Sequence, residues 1–320
     1  MNRTTKATVL VVLLGAAALA AGAYTARYGD VVYEHNSLYH RIFVHRRGSI
    51  TTLRFATGDP GVVQSQVDLN RPRRHMLEYT GMAFCGLLYQ PEPKRFLMLG
   101  LGGGVIAREM HHYFPDLQLD VAEIDPAIPG VAERFFGFRT TERLEVHVRD
   151  GRVFIRRRLR EDPVPKYDYI VLDAFQGDSI PFHLMTREFF EQVKGVLADD
   201  GVVVANVIFT NQLCHSELKT IVEVFGRCQV YEARSSTNAM LVATGPDAPV
   251  LSAEEALRRA RKLQREHGFP FDLRTVARRL VPGAKPNEEA RVLTDDQAPV
   301  NWLRHQPADP PEASDEQTGG

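Results

Sequence analysis

The passage Leu97-Met98-Leu99-Gly100-Leu101-Gly102-Gly103-Gly104, with a helix predicted from Val105, constrains this chain more than any other. An apolar run suited to a buried strand passes directly into a glycine-rich loop. Glycine lets the backbone turn sharply and lets a ligand come close to the main chain. The unpaired N–H groups at the following helix start make that end electropositive. A dinucleotide fingerprint would need glycine at position 105, where valine stands. The G-x-G-x-G form that remains fits a mononucleoside ligand better.

The surrounding pattern agrees. Strands are predicted over 95–99, 117–124, 144–148, 167–173 and 202–208, each followed by a helical stretch. Two more, 229–233 and 239–244, flank the turn Ser235-Ser236-Thr237-Asn238. Alternating strands and helices imply an α/β fold with a mostly parallel, seven-stranded sheet covered on both faces. The closing strand–turn–strand implies an antiparallel edge. Upstream, Tyr39–His45 and Ile50–Phe55 read as a hairpin about Arg47-Gly48-Ser49. They belong to a small N-terminal antiparallel β segment that is too small to stand alone. A helix is predicted over residues 72–90. Another is opened by the capping box at Ser252-Ala253-Glu254-Glu255.

Acids recur at the strand ends. Glu123 closes the second strand of the alternating series, about twenty residues after the glycine loop, the spacing at which an acid reaches ribose hydroxyls. Asp150-Gly151 closes the third, where an acid reaches an adenine amino group. Asp173 closes the fourth and precedes a loop over the same crevice, where an acid orients or deprotonates a nucleophile. Any one of these is an ordinary turn by itself. Three in register on neighbouring strands point to a nucleoside site formed by Gly100, Gly102, Gly104, Glu123, Asp150 and Gly151, with Asp173 as the candidate catalytic group.

Composition removes other classes. Formal net charge is -1 over 320 residues, so no global field draws in nucleic acid. Cys85, Cys214 and Cys228 are too few and too scattered for a disulfide framework or zinc site, and no metal is expected. Arg152, Arg156, Arg157, Arg158 and Arg160 read as a solvated helix face. The N-terminus differs from the rest. Arg3 and Lys6 precede an uncharged run from Ala7 to Ala26, the pattern of a signal peptide or membrane anchor. The expected organisation is a signal or anchor over 1–27, the β segment over 31–70, and a nucleoside-binding α/β domain over 72–250. A C-terminal helix and irregular segment follow over 251–304, and a disordered tail over 305–320.

Taken together, these motifs resemble the spermidine synthase (polyamine aminopropyltransferase) family. The resemblance runs from about Tyr39 to Thr244. Its membrane-associated, spermidine-synthase-like branch is similar in Gly-Leu-Gly-Gly-Gly, in Asp173-Ala174-Phe175 with Pro181-Phe182-His183-Leu184, and in Leu293-Thr294-Asp295-Asp296. The resemblance implies a class I S-adenosylmethionine-dependent-transferase (Rossmann-like) fold. It also implies aminopropyl transfer from decarboxylated S-adenosylmethionine to a diamine, with the acid matching Asp173 taking the amine proton. His40 and Tyr79 fall in the family's amine-binding region. Two positions depart from the family pattern: Gly103 and Gln176 stand where it usually carries acids. Asp178, Asp295 and Asp296 are the acids nearby that are available to compensate. Gly103 leaves two alternatives open, a methyltransferase using S-adenosylmethionine itself and a non-catalytic nucleoside-binding protein at a membrane. The β segment is expected to pack on the main domain or on another subunit, which makes it the candidate contact for a homo-oligomer.

Positive residues before the apolar run predict an N-terminus inside, which would put the folded domain outside the cytoplasm. The domain is expected to be membrane-anchored or exported, on a side of the membrane that the sequence leaves open. Protease added to intact cells decides between the two sides: cleavage of the domain would place it outside. Full protection until lysis would place it inside.

Overall fold

In the central strands, alternate residues face opposite ways and both faces are apolar. Phe96, Met98, Val121, Tyr169 and Val171 enter one core, and Leu97, Leu99, Ala122, Ile170 and Leu172 the other. This period of two, apolar on both sides, makes a strand buried between two layers of helix. The computed structural model describes residues 22–56, 61–175, 180–297 and 303.

The sequence of strands is β1 (Asp30–Asn36), β2 (Arg41–Arg47), β3 (Ile50–Phe55), β4 (Val62–Asp68), β5 (Arg95–Leu99), β6 (Gln118–Glu123), β7 (Leu144–Val148), β8 (Tyr167–Leu172), β9 (Leu197–Ile208), β10 (Gln229–Glu232), β11 (Asn238–Thr244) and β12 (Leu280–Val281). The first four form an antiparallel sheet in sequence order. The other eight form the main sheet, ordered β12-β10-β11-β9-β8-β5-β6-β7. Strands β5 to β9 run parallel, and β11, β10 and β12 add an antiparallel edge. All seven expected strands form. The eighth, β12, is two residues long and carries no periodicity to read. It follows a short helix, Leu273–Ala277, in the stretch expected to be irregular.

Strand order reverses at β5, which has β6 on one side and β8 on the other. The chain ends leaving β5, β6, β7 and β8 therefore meet over one crevice, the place where open α/β sheets bind ligands. The turn out of β5 needs glycine for two reasons. Gly100 has φ 88°, and a Cβ there would lie 2.4 Å from the Asp173 carbonyl oxygen. Gly104, at φ 71°, is the N-cap of the Val105–Tyr113 helix and lies under the Phe138 ring.

The N-terminal sheet shares the main core. Ile42, Val44, Leu53 and Val67 are buried in the same cluster as Phe96 and Met98. Tyr24, on a helical segment over residues 22–28, places its hydroxyl 3.2 Å from His45 Nε2. The apolar run lies outside the described residues up to position 21, and among the described residues no helix is long and apolar enough to cross a membrane. The expected tail over 305–320 also lies outside them.

Two expectations change. The single helix over 72–90 is replaced by a short α-helix, Glu78–Met82, and a 3-10 helix, Ala83–Leu88. Gly81 and Gly86 weaken an α-helix here. A Cβ on Gly86 would sit 2.4 Å from the Tyr169 ring, so the segment approaches β8 closer than a side chain allows. The arginine stretch is not uniformly solvated. Arg156, Arg157 and Arg160 are exposed, but Arg152 and Arg158 turn inward to ion pairs with Asp295 and Asp120. Ser252 caps its helix as expected, accepting from Glu255 N at 3.1 Å.

Gly103 marks the seam between the two sheets. A Cβ there would lie 2.5 Å from Ser65 Oγ on β4 and 2.9 Å from the Phe136 ring. The Gly103→Ala variant is expected to lose about 1–3 kcal/mol of stability to overpacking, measured by urea unfolding.

Candidate active site

A cavity of about 680 Å³ opens over the carboxyl ends of the parallel strands. Its floor comes from Gly100, Leu101 and Gly102, and a Cβ on Gly102 would meet nothing nearer than the Gln64 carbonyl at 3.9 Å. Gly103 does not line it. The family's acid position is thus filled from behind by Ser65 and Phe136, and an acid at 103 would have no room.

Glu123, at the end of β6, is buried and faces this floor. Its Oε2 accepts from Leu101 N at 2.8 Å and its Oε1 from Asp125 N at 2.9 Å. Burial raises its carboxyl above the usual range, and these N–H groups oppose that rise. The Gly102 N–H adds to them, and the carboxylate still has lone-pair capacity left for a ligand hydroxyl. Asp125, fully buried, faces the N-terminal sheet. Its Oδ2 accepts from Ser37 Oγ at 2.5 Å and pairs with His40 Nδ1 at 3.0 Å. The His40 ring stacks on Phe55 with centroids 3.9 Å apart. His40 lines the cavity, and its buried Nε2 has no protein partner. An imidazole held by a carboxylate at one nitrogen offers the other to a ligand.

Asp150 and Gly151 form the next wall. Asp150 Oδ1 caps the Gly151–Arg158 helix by accepting from Val153 N at 2.8 Å. Its Oδ2 lies 2.9 Å from His183 Nε2. Burial pulls the Asp150 carboxyl upward, but His183 and the helix N–H groups outweigh it and hold the group below its ordinary range.

Asp173 stands between the nucleoside end and the rest of the cavity. Asn206 Nδ2, on β9, donates to Asp173 Oδ1 at 2.8 Å, and Asn206 Oδ1 accepts from Asn238 Nδ2, on β11, at 2.9 Å. Burial pushes the Asp173 carboxyl up to about 7, the Asn206 bond opposing and the nearby Glu123 charge adding to the shift. A group with that pKa accepts a proton near neutrality. The far end is built by Tyr79, whose hydroxyl donates to the Gln64 carbonyl at 2.7 Å, and by Glu78. The Glu78 carboxylate accepts from Ser235 N at 2.6 Å and pairs with Arg279 at 2.9 Å, so it holds the 235–238 turn in place.

The structure therefore gathers Gly100, Gly102, Glu123, Asp150, Gly151, Asp173, His40 and Tyr79 around one cavity. Gly104 supports it from below as a helix cap. Gln176 and Asp178 lie outside the described residues. Asp295 and Asp296 do not line the cavity; the Asp295 carboxylate is bound to Arg152 and Thr186. Sequence reasoning passed over Asn206, Asn238 and Glu78. Asn206 had a signal: it is the polar residue inside the otherwise apolar run Val202–Ile208. Asp120, Glu145 and His147 also come together, away from the cavity. Asp120 already pairs with Arg158 and accepts from Tyr167 Oη at 2.7 Å, which leaves the cluster little capacity for a metal.

Residues 77–244 match the family model described as the spermine/spermidine synthase domain. The chain is 34% identical over 278 residues to the polyamine aminopropyltransferase of Vibrio vulnificus (strain CMCP6), a match spanning 86% of this chain and 91% of that protein. Among solved structures it is similar to a probable spermidine synthase from Corynebacterium glutamicum ATCC 13032. That likeness, at 22% identity and a TM-score of 0.63 over 85% of this chain and 99% of the other, is one of fold. Human methyltransferase-like protein 13, solved in complex with SAH, is 28% identical with a TM-score of 0.52, over 58% of this chain and 88% of its own. By the extent of the match and by its fold, the chain belongs to the spermine/spermidine synthase family.

Proposed function

We propose that the chain transfers an aminopropyl group from decarboxylated S-adenosylmethionine to a diamine, releasing methylthioadenosine. The charge of the cavity wall carries this reading. Glu78, Glu123, Asp150 and Asp173 line it, and no Lys or Arg does among the described residues. Glu78 has Arg279 behind it and Asp150 has His183 beside it, while Glu123 and Asp173 have no cationic partner in the structure described. Such a wall attracts a sulfonium bearing an ammonium group and a cationic amine. It repels the carboxylate of ordinary S-adenosylmethionine.

In this reading Gly100 and Gly102 admit the nucleoside close to the backbone. Glu123 binds ribose hydroxyls, His40 Nε2 adds a further hydrogen-bonding atom, and Asp150 accepts from the adenine amino group. The acceptor enters past Tyr79. A free alkylammonium has a pKa of about 10, so it must lose a proton before it attacks. Asp173 takes that proton on the oxygen not engaged by Asn206. The amine lone pair then forms the N–C bond, the C–S bond breaks, and its electron pair leaves on sulfur as a neutral thioether. The apolar run ahead of residue 27 is assigned, on its sequence, to an anchor or export signal.

Purified protein given the decarboxylated donor and a panel of diamines is expected to yield methylthioadenosine and a longer polyamine. S-adenosylhomocysteine formed from ordinary S-adenosylmethionine, with no methylthioadenosine, would overturn the reading in favour of methyl transfer. Asp173→Asn is expected to lower kcat by about 10²–10⁴. In the native enzyme kcat/KM is expected to rise with pH through about 7 as Asp173 of the free protein ionises. Stability runs the other way. A carboxyl raised from 3.8 to about 7 favours the fold when protonated, and that contribution is lost as pH rises through the folded value. Asp173→Asn is therefore expected to be more stable than the native protein at pH 8, with the gap closing by about pH 4, in urea unfolding at both pH values.

A further inference from the structure

The motif Leu293-Thr294-Asp295-Asp296 has no part in the reading above, yet its first three residues are held in place. Leu293 is fully buried against Met185, Leu213 and Leu303. Its N–H donates to Thr220 Oγ1 at 2.9 Å, and its carbonyl accepts from Arg187 N at 2.7 Å. Asp295 N donates to Glu188 Oε2 at 2.9 Å. Thr294 and Gln297 close a turn around it through reciprocal backbone hydrogen bonds. The segment thus fastens to two helices, Arg187–Val196 and Gln212–Phe225, and carries one carboxylate to a third.

That carboxylate meets Arg152 on the Gly151–Arg158 helix. Arg152 donates through Nη1 to Asp295 Oδ1 at 2.8 Å and through Nη2 to Oδ2 at 2.7 Å. Thr186 Oγ1 donates to the same Oδ1 at 2.7 Å. The Arg152 side chain is only 13% exposed, and its other bonds go inward, to the His183 carbonyl and the Gln192 amide, both at 3.1 Å. His183 then places Nε2 on Asp150, and both of these residues line the cavity. Asp295 is itself partly open to water, which screens the Coulomb attraction. The two-pronged geometry still fixes the guanidinium plane, which a point charge could not do.

We propose that residues 293–297 form a strap which, through the Asp295–Arg152 pair, holds the Pro181–Leu184 turn and the His183–Asp150 contact against the nucleoside end of the cavity. Arg152 and Asp295 are then positioning residues: neither lines the cavity, and each acts through His183. The proposal rests on nucleoside binding beside Asp150. Breaking the pair leaves a half-buried guanidinium without its counter-charge, and the turn it supports loosens.

The test uses the full chain, with methylthioadenosine as the probe in calorimetry and amide exchange followed over residues 180–184. In Asp295→Asn and Arg152→Met, methylthioadenosine affinity is expected to fall about three- to tenfold. KM for the donor rises by the same factor while kcat at saturating donor holds, and exchange over 180–184 accelerates. The double variant falls no further than either single one, and Asp295→Glu restores most of the affinity. If Asp295→Asn fails to fold, Arg152→Lys keeps the charge, breaks the fork and gives the same readout. Unchanged affinity and unchanged exchange in a folded variant would overturn the strap. If the native protein does not bind methylthioadenosine, the nucleoside reading fails separately. The exchange arm then decides alone, acceleration supporting the strap and no change overturning it.

Discussion

One carboxylate joins the parts of this molecule that make a site. Glu123 accepts a backbone N–H from the glycine loop at Leu101 and another from Asp125, and Asp125 in turn holds Ser37 and His40 of the N-terminal sheet. Two oxygens on the end of β6 thus tie the loop after β5 to a sheet that the chain completed before residue 70. Burying an acid is costly, and the cost is borne because both oxygens meet donors.

The four acids along the wall show how one functional group is made to do different things. Glu78 is neutralised by Arg279 and serves as a bracket for the 235–238 turn. Glu123 is a backbone clamp that still has lone pairs facing the cavity. Asp150 is both a helix cap and the partner of His183. Burial wins over the donors at both Glu123 and Asp173, and Asp173, whose one side-chain donor is Asn206, is pushed up to about 7. Residue type does not distinguish these roles. The number and charge of the donors supplied by neighbouring elements does.

Much of this was legible in the sequence because the relevant signals are local. The glycine loop, Glu123, Asp150 and Asp173 each end a strand, and the crevice at strand ends follows from the alternation of strand and helix alone. What was not legible came from contacts across the chain. Asp295 looked like a spare acid near the site, but it meets Arg152 from 143 residues away and turns a residue read as solvated into a half-buried one. Gly103 looked like a missing acid, and only the packing of Ser65 and Phe136 shows that the space is filled. The helix expected over 72–90 followed its apolar period correctly, but a close approach to Tyr169 at Gly86 overrode it. Asn238 sits in a turn whose composition says only that it is a turn.

The amide chain from Asn238 through Asn206 to Asp173 has a direction, since each amide gives from nitrogen and receives at oxygen. It can aim a carboxylate, but it cannot conduct. Neither amide ionises near neutral pH, so a proton captured by Asp173 has no route out along these side chains. In the proposed reaction that proton must leave by the face on which it arrived, through the cavity itself. Resetting the base then draws on the same cavity that admits the substrates and releases the products.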